Sequence, residues 1–245
     1  MGSCHIHADI HCGLHRRHKN YWLNLTNINP QEVFTKPILD WWDKSGRKDL
    51  PWQKETSLYK TWVSEIMLQQ TQVKTVIPYF LKFISEYPSI NELASSDESE
   101  VMALWSGLGY YSRARNLLKT AVIINENFDG LIPANQDELI KLPGIGSYAS
   151  AAILAIAFNK PAVVIDGNIK RVISRYFGFQ GTLEDNKNII EEAANTLSVR
   201  KNNEYYSQGM MELGALVCKP KSPLCSQCPV VKECVSCLLY TSDAA

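Results

Sequence analysis

An isolated acidic residue, Asp166, follows the apolar run 163–165 and precedes Gly167 and Asn168. Half-burying a charged carboxyl group is costly unless the group is paired or caps a helix. The sequence leaves both of these structural roles open. A carboxylate held in place can also stabilise a positive charge that develops during a reaction. Asp166 is therefore a candidate catalytic residue.

A glycine turn, LPGIG at 142–146, ends twenty residues before Asp166 and lies between two segments with helical spacing. Glycine adopts backbone angles closed to other residues and lets another backbone approach closely. The free N–H groups of the first turn of the following helix, and the dipole of that helix, favour an anion. Gly144, Gly146 and Ser147 are therefore predicted to bind a DNA phosphate. An ordinary tight turn is the alternative.

A second acidic residue, Glu65, lies in the helical pattern 58–70, three residues after Trp62 and at the edge of an apolar stripe. Desolvation beside an indole disfavours a charged carboxyl group, which makes the group a proton donor near neutral pH. The alternative is a solvated surface glutamate. Gln69 and Gln70 follow, and their amides suit hydrogen bonds to the edges of bases.

A glycine-rich turn places two tyrosines directly before two arginines, in GLGYYSRAR at 107–115. Aromatic rings can wedge between bases, and arginines bind phosphates. Tyr110, Arg113 and Arg115 are therefore predicted to contact DNA. The alternative is a turn between helices with packed tyrosine side chains.

Four of the seven cysteines fall within seventeen residues, separated by six, two and five residues: Cys218, Cys225, Cys228 and Cys234. Four thiolates suit either a tetrahedral zinc ion or a [4Fe-4S] cluster. Zinc ribbons usually present two short Cys-x-x-Cys pairs, whereas the 6-2-5 spacing resembles the cluster loop of the endonuclease III and adenine glycosylase superfamily. We therefore expect a [4Fe-4S] cluster, with zinc as the alternative.

The elements that position these residues are predicted to be helices, because apolar residues recur at helical spacing almost throughout and strand signals are confined to 162–165. The predicted helices are 31–44, 58–70, 73–87, 90–94, 97–105, 112–125, 136–142, 147–158, 167–177, 187–197 and 204–217. The sequence therefore predicts an all-α protein. The chain has 245 residues and a formal net charge of zero, so a DNA-binding surface must come from segregated rather than excess positive charge.

Both ends of the chain differ from this pattern. All five histidines lie within residues 1–30, where metal binding is possible by ligand type but a disordered extension is favoured. Residues 237–245 are expected to be a tail without regular structure.

No apolar run is long enough for a transmembrane helix, and we expect a cytoplasmic protein, associated with the nucleoid if bacterial.

With these motifs together, the chain resembles the adenine DNA glycosylase (MutY) family of the helix-hairpin-helix superfamily. The matching segments are GRKDLPW, SEIMLQQTQV, LWSGLGYYSRARNL, LPGIGSYASAAILA, VIDGNIKRV and the four-cysteine loop. The resemblance implies a six-helix barrel at 54–162 and a discontinuous cluster domain at 31–53 and 163–236, with the active-site cleft between them. It also implies a monomer that acts on double-stranded DNA.

The resemblance implies roles for individual residues. Glu65 matches the general acid and Asp166 the catalytic aspartate, while Tyr148 and Asn168 match residues that support them. Tyr110 and the Gln69-Gln70 pair match the wedge that replaces an extruded base. The expected reaction is hydrolysis of the N-glycosidic bond of adenine mispaired with 8-oxoguanine or guanine.

The sequence leaves three alternative functions to consider. A bifunctional endonuclease III has a lysine where this chain has Tyr148, so its lyase route lacks the amine. A tyrosine there also occurs in thymine mismatch glycosylases, but Glu65 followed by QQTQ favours the adenine enzymes. An inactive DNA-binding relative is the third alternative. Family members usually continue into a lesion-reading domain, whereas this chain ends about ten residues after Cys234, as a fragment or a short form.

Overall fold

The computed structural model describes residues 29–54 and 56–242, and these residues contain helices and loops but no β-strand. They divide into two compact units. The hairpin unit consists of Arg47–Val164 and Arg200–Ser207. The cysteine unit consists of the described residues up to Gly46, Ile165–Val199 and the described residues from Gln208 onward. The predicted all-α class is confirmed.

The hairpin unit is built around one helix that is buried on nearly every side, α3. The helices that begin in this unit are α2 (Pro51–Lys54), α3 (Leu58–Leu68), α4 (Val73–Glu86), α5 (Ile90–Ala94), α6 (Glu98–Trp105), α7 (Ser112–Asn127), α8 (Gln136–Leu139), α9 (Ser147–Ala152), which continues as a π-helix over Ile153–Ala157, and α12 (Asn203–Glu212). Ser57 begins α3 because its hydroxyl accepts the N–H of Lys60 at 3.1 Å. Helices α4, α7 and α9 contact α3.

The cysteine unit is organised around α10 (Gly167–Phe177), which buries a single face. Its other elements are a π-helix over Gln31–Thr35, α1 (Lys36–Ser45), α11 (Lys187–Leu197), the end of α12, a π-helix over Leu213–Val217, 3₁₀ turns over Cys225–Gln227 and Val231–Glu233, and α13 (Val235–Ser242). Gly178 ends α10 in the left-handed conformation, with φ of 68°. Helix α10 contacts α11, α13 and Leu213–Val217.

The two units differ from the expected domains at three places, because residues 47–53, 163–164 and 200–207 lie in the hairpin unit. Residues 47–53 join the hairpin unit because Leu50 and Trp52 enter its core, where Trp52 packs edge to face on Phe80 at 5.3 Å. Residues 200–207 join it because Asn203 donates hydrogen bonds to the carbonyls of Lys160 and Ala162.

Two local expectations also differ from the structure. Helix α13 covers much of the segment that was expected to be a tail, and its first residue, Val235, is buried. Residues 162–165, where the strand signal lies, form no β-strand. The histidine-rich extension lies outside the described residues. Among those described, no helix is long and apolar enough to cross a membrane.

Candidate functional site

Glu65 lies near the C-terminal end of α3 and is 6% exposed. The apolar residues Trp62, Val63 and Ile66 around it are buried as well. A solvated surface glutamate is therefore excluded. A carboxyl group in such surroundings needs a polar partner, because burying it without one is costly.

Tyr148 supplies that partner, because its hydroxyl donates a hydrogen bond to Oε2 of Glu65 at 2.8 Å. Tyr148 lies in the first turn of α9, directly after the glycine turn, and α9 contacts α3. The two residues are 83 positions apart in the chain, so the fold of the hairpin unit brings them together. The contact fixes the orientation of the carboxyl group.

The glycine turn itself is supported from α7. Gly144 has a φ of 78°, and a Cβ atom there would lie 2.8 Å from Cβ of Asn116. The hydroxyl of Thr120 donates to the carbonyl of Pro143 at 2.8 Å. Gly146, which has no side chain that could act as a cap, precedes the first turn of α9 at Ser147. No side chain caps this turn, and the first turn of a helix is a place where anions bind in many proteins.

Two solvent-facing segments carry the residues that resemble a wedge. Gln70 and Tyr110 have φ values of 56° and 51°, in the region that favours glycine. Gln70 is exposed, and the side chain of Tyr110 is 56% exposed. Tyr110 is therefore not the packed tyrosine of the alternative interpretation.

The structure corrects the role expected for Arg113. Its side chain is 8% exposed, and its guanidinium donates to protein oxygens rather than facing solvent. Arg113 lies on the buried face of α7, four residues before Leu117, which directs it inward. It is not positioned to bind a phosphate. Arg115 is half exposed and pairs with Glu98, Nε to Oε1, at 3.1 Å.

Asp166 occupies the N-cap position of α10. Its Oδ1 accepts the N–H of Ile169 at 2.7 Å, and its Oδ2 accepts a hydrogen bond from Nδ2 of Asn168 at 2.8 Å. Burial raises the pKa of Asp166, while the Ile169 N–H, the Asn168 amide and the charge of Arg171 offset part of that rise. The capping role that the sequence left open is therefore present. This position places the carboxylate next to two hydrogen-bond donors, the N–H of Ile169 and the amide of Asn168.

A chain of hydrogen bonds runs from Asp166 to the cysteine loop. Asn168, which donates to Asp166, accepts through Oδ1 from Nη2 of Arg171 at 2.8 Å. Nε of Arg171 in turn donates to the carbonyl of Cys218 at 2.8 Å, and Nη2 also donates to the carbonyl of Gly214. Arg171 thus connects the carboxylate and the first cysteine of the loop.

The cysteine loop follows the π-helix over Leu213–Val217 and presents four thiols that form no disulfide. Burial raises the pKa of Cys228 to about 11, and the charges of Cys234, Cys218 and Cys225 add to that rise. The four thiols are thus within electrostatic reach of one another. Nη1 of Arg175 lies 3.4 Å from Sγ of Cys218 and donates to the carbonyl of Lys219 at 2.7 Å.

The four thiols are candidate ligands for either a single zinc ion or a [4Fe-4S] cluster, which differ in the spacing of the sulfurs. In residues 29–54 and 56–242, no three His, Cys, Asp or Glu side chains are grouped closely enough to hold one metal ion. A single zinc at about 2.3 Å from each sulfur would require such a tight group. In a [4Fe-4S] cluster each thiolate binds a different iron atom, so the sulfurs lie farther apart.

The sequence interpretation missed the structural roles of two arginines. Arg113 was predicted to contact DNA and Arg171 was given no role, yet both donate mainly to main-chain carbonyls. A signal for Arg113 was available, because it shares the apolar face of α7 with Leu117 and Ala121. For Arg171 the only signal was its spacing of three residues from Asn168, which is common on any helix.

The chain is similar to known base excision repair proteins. Residues 63–198 match the family described as the HhH-GPD superfamily base excision DNA repair protein. The chain is 45% identical over 208 residues to an adenine DNA glycosylase of Buchnera aphidicola subsp. Schizaphis graminum (strain Sg), covering 83% of this chain and 59% of that protein. It is 42% identical over 220 residues to an adenine DNA glycosylase of Rattus norvegicus, covering 85% of this chain and 42% of that protein.

Among solved structures, a thermostable thymine-DNA glycosylase is similar with a TM-score of 0.77 and 30% identity. The match covers 88% of this chain and 99% of that one. The chain thus spans less than two thirds of the two adenine glycosylases but nearly all of the thymine glycosylase.

Proposed function

The chain belongs to the HhH-GPD superfamily of base excision DNA repair proteins, and we propose that it is a monofunctional adenine DNA glycosylase. Its substrate would be adenine mispaired with 8-oxoguanine or guanine in double-stranded DNA. The contact between Tyr148 and the buried Glu65 carries the proposal. The identity to adenine glycosylases of a bacterium and a mammal supports the choice of base.

Glu65 is proposed as the general acid. Adenine leaves the sugar as a neutral base only if it is protonated, and N7 is the nitrogen that a donor can reach when the base has left the stack. The burial of Glu65 among apolar side chains supports a role in which the carboxyl group gives up a proton. The hydroxyl of Tyr148 would keep its orientation during the transfer.

Asp166 is proposed to stabilise the oxocarbenium ion that remains on the sugar. Its hydrogen bonds from Ile169 and Asn168 favour the ionised carboxylate. A fixed negative charge near a developing positive charge lowers the barrier without reorganisation at the moment of reaction. Water then adds to C1′ and releases a proton, which restores the acid form of Glu65. Glycoside hydrolysis likewise uses a pair of carboxyl groups.

The absence of an amine at position 148 supports a monofunctional enzyme, since a phenol cannot form an imine with the sugar aldehyde. The product should be an abasic site whose strand breaks only after alkali or heat. Tyr148→Lys introduces an amine beside Glu65, so covalent trapping with borohydride and strand cleavage should appear in that variant. Strong trapping in the wild type would argue against the proposal.

The hairpin and wedge segments are proposed to bind the DNA. Gly144, Gly146 and Ser147 would hold a phosphate at the start of α9. Tyr110 and the Gln69-Gln70 pair would occupy the space that the extruded adenine leaves. The exposure of Tyr110 and Gln70 supports this role.

Cys218, Cys225, Cys228 and Cys234 are proposed to hold a [4Fe-4S] cluster. Such a cluster, when bound, supplies four iron–sulfur bonds that close the loop and a one-electron redox couple. Purified protein should be brown and contain about four irons per chain. Colourless protein with one zinc would overturn the assignment.

Single-turnover assays test the activity directly. The protein is mixed in excess with duplexes that carry adenine opposite 8-oxoguanine, adenine opposite guanine, or thymine opposite guanine. We expect release of adenine from the first two duplexes and none of thymine from the third. Release of thymine alone would favour the thymine mismatch alternative, to which the solved thymine-DNA glycosylase lends some weight. No release from any duplex would favour the inactive relative.

A further inference from the structure

Arg113 is a buried cation whose role in the molecule differs from that of a surface arginine. We propose that Arg113 is a positioning residue that holds the two wedge segments, residues 69–71 and 109–110, in a fixed arrangement for base extrusion. This inference rests on the proposed glycosylase function. It assigns to Arg113 a part in opening the base pair rather than in the chemical step.

The first set of contacts ties Arg113 to the C-terminal end of α3. Nη1 donates to the carbonyls of Ile66 at 3.0 Å, Met67 at 2.8 Å and Gln69 at 2.6 Å. The last carbonyls of a helix lack partners inside the helix, and a cation there also interacts favourably with the negative end of the helix dipole. Arg113 therefore fixes the point at which the chain leaves α3 and enters the Gln69-Gln70 segment.

The second set of contacts ties the same guanidinium to both wedge segments. Nη2 donates to Oγ1 of Thr71 and to the carbonyl of Gly109, each at 3.1 Å. The guanidinium carbon lies 5.2 Å from the ring centre of Tyr110 and 5.5 Å from that of Trp105. A cation within about 6 Å of an aromatic ring is attracted to it. One side chain thus connects two segments that are forty residues apart.

The backbone of the wedge explains why such a connection is needed. Gln70 and Tyr110 both have positive φ values, 56° and 51°. Such conformations cost energy in residues other than glycine and persist only where the surroundings fix them. The two strained residues are also the exposed ones that would enter the base stack. Arg113 contacts the residue before Gln70, the residue after it and the residue before Tyr110.

Arginine suits this position better than lysine. A guanidinium presents five N–H donors in a planar fork, whereas an ammonium presents three donors at one point. Lysine at this position could bind some of the carbonyls but could not reach Gly109 and Gln69 in the same geometry. Arg113→Lys therefore keeps the buried charge and loosens the wedge.

The test compares a substrate that requires extrusion with one that requires less of it. Arg113→Lys should slow single-turnover adenine release from an adenine–guanine mispair by about 10- to 100-fold, the range for losing hydrogen bonds of a charged group. On adenine opposite a tetrahydrofuran abasic analogue, where unpairing costs less, the loss relative to wild type should be within about threefold.

A second readout does not depend on catalysis. In a duplex with 2-aminopurine next to the mispair, wild-type protein should raise the fluorescence as the stack opens, and Arg113→Lys should raise it less. If wild-type protein releases no adenine, the proposed function fails, but this measurement still tests Arg113. An equal loss of activity on both substrates with a normal fluorescence rise would overturn the positioning role.

Two further variants separate positioning from folding. Thr71→Val removes one acceptor of Arg113 while keeping the volume of the side chain, so it should give the same substrate dependence with a smaller loss, about 2- to 10-fold. Ile124→Val, a buried substitution near the far end of α7, should lower the melting temperature without any difference between the two substrates. If Arg113→Lys does not fold, an unchanged ratio of rates in Thr71→Val rejects the proposal.

Discussion

The two units of the molecule each centre on a helix that carries one carboxyl group, but they hold that group in opposite ways. In the hairpin unit Glu65 lies inside α3, surrounded by apolar side chains, and accepts a hydrogen bond from the phenol of Tyr148. In the cysteine unit Asp166 lies before the first turn of α10 and accepts a main-chain N–H and a side-chain amide.

The position of a carboxyl group along a helix therefore divides the two proposed roles. Within a helix the main-chain N–H groups are already bonded, and the hydrogen bond described for Glu65 comes from the side chain of Tyr148. At the N-terminus unpaired N–H groups and the helix dipole favour the anion at Asp166. The first site suits a proton donor and the second suits a fixed negative charge.

The largest effects should come from removing either carboxyl group. Glu65→Gln keeps the size of the side chain but removes the proton, and Asp166→Asn keeps a good N-cap but removes the charge. Each variant should lower single-turnover adenine release by roughly 10² to 10⁴-fold. DNA binding, measured by gel shift, should persist in both. A wild-type rate in either variant would show that the role of that residue is wrong.

The next effect concerns the hydrogen bonds that connect Asp166, through Asn168 and Arg171, to the cysteine loop. Arg171→Gln removes the charged hydrogen bonds that connect Asn168 to the Cys218 carbonyl, so Asp166 loses its supported partner. We expect adenine release to fall by about 10- to 100-fold, measured per molecule that contains iron.

Arg175→Gln is the matched comparison for that prediction. Arg175 contacts the same loop at Cys218, Lys219 and Pro220, but none of its hydrogen bonds described above involves Asn168. Its variant should retain less iron on dialysis yet react normally per iron-containing molecule. Equal rates of adenine release for the two variants would show that Arg171 does not support Asp166.

The acid limb of the pH–rate profile should report the pKa of Asp166, which burial raises and the nearby hydrogen-bond donors lower. Burial raises the pKa of this group, so activity that needs its ionised form should disappear, as pH falls, at a higher pH than for an ordinary aspartate. Asn168→Ala removes a donor that lowers the pKa. The acid limb should then move to still higher pH, whereas Glu204→Gln, a change outside the site, should not move it. A shift to lower pH would contradict the assigned cause.

Sequence patterns located the carboxyl groups because their surroundings are local. The apolar stripe of α3 predicted a half-buried Glu65, and the run before Asp166 left a helix cap open as one explanation. Patterns failed where contacts span tens of residues, as between Arg113 and Gln69 or between Arg171 and Cys218. The apolar face of α7 indicates that Arg113 is buried, but the local sequence does not indicate which distant carbonyl either arginine binds.

Boundary errors have the same origin. The helix at 235–242 was missed because its short apolar pattern gains a partner only when α10 packs against it. Residues 200–207 lie in the hairpin unit rather than in the expected cluster domain, because the bonds of Asn203 to Lys160 and Ala162 join segments forty residues apart. Local propensity contains no information about such contacts.

The smallest effect should come from the hairpin unit, at the hydroxyl of Tyr148. Tyr148→Phe removes one neutral donor from Glu65 and leaves the ring that packs on the core of this unit. A neutral hydrogen bond contributes about 0.5–1.5 kcal/mol, so adenine release should fall only by about 2- to 10-fold. Glu65 would keep its proton and its burial but lose part of its orientation.

The comparison of Tyr148→Phe with Arg171→Gln then decides how the two units differ. If the orientation of Glu65 and the orientation of Asp166 matter equally for catalysis, the two variants should lose equal amounts of activity. We expect Arg171→Gln to lose more, because a charged arginine connects Asp166 to a loop, whereas a neutral phenol contacts Glu65 directly. A loss in Tyr148→Phe as large as that of Glu65→Gln would mean that the phenol takes part in proton transfer itself, and the acid would then be the pair rather than Glu65 alone.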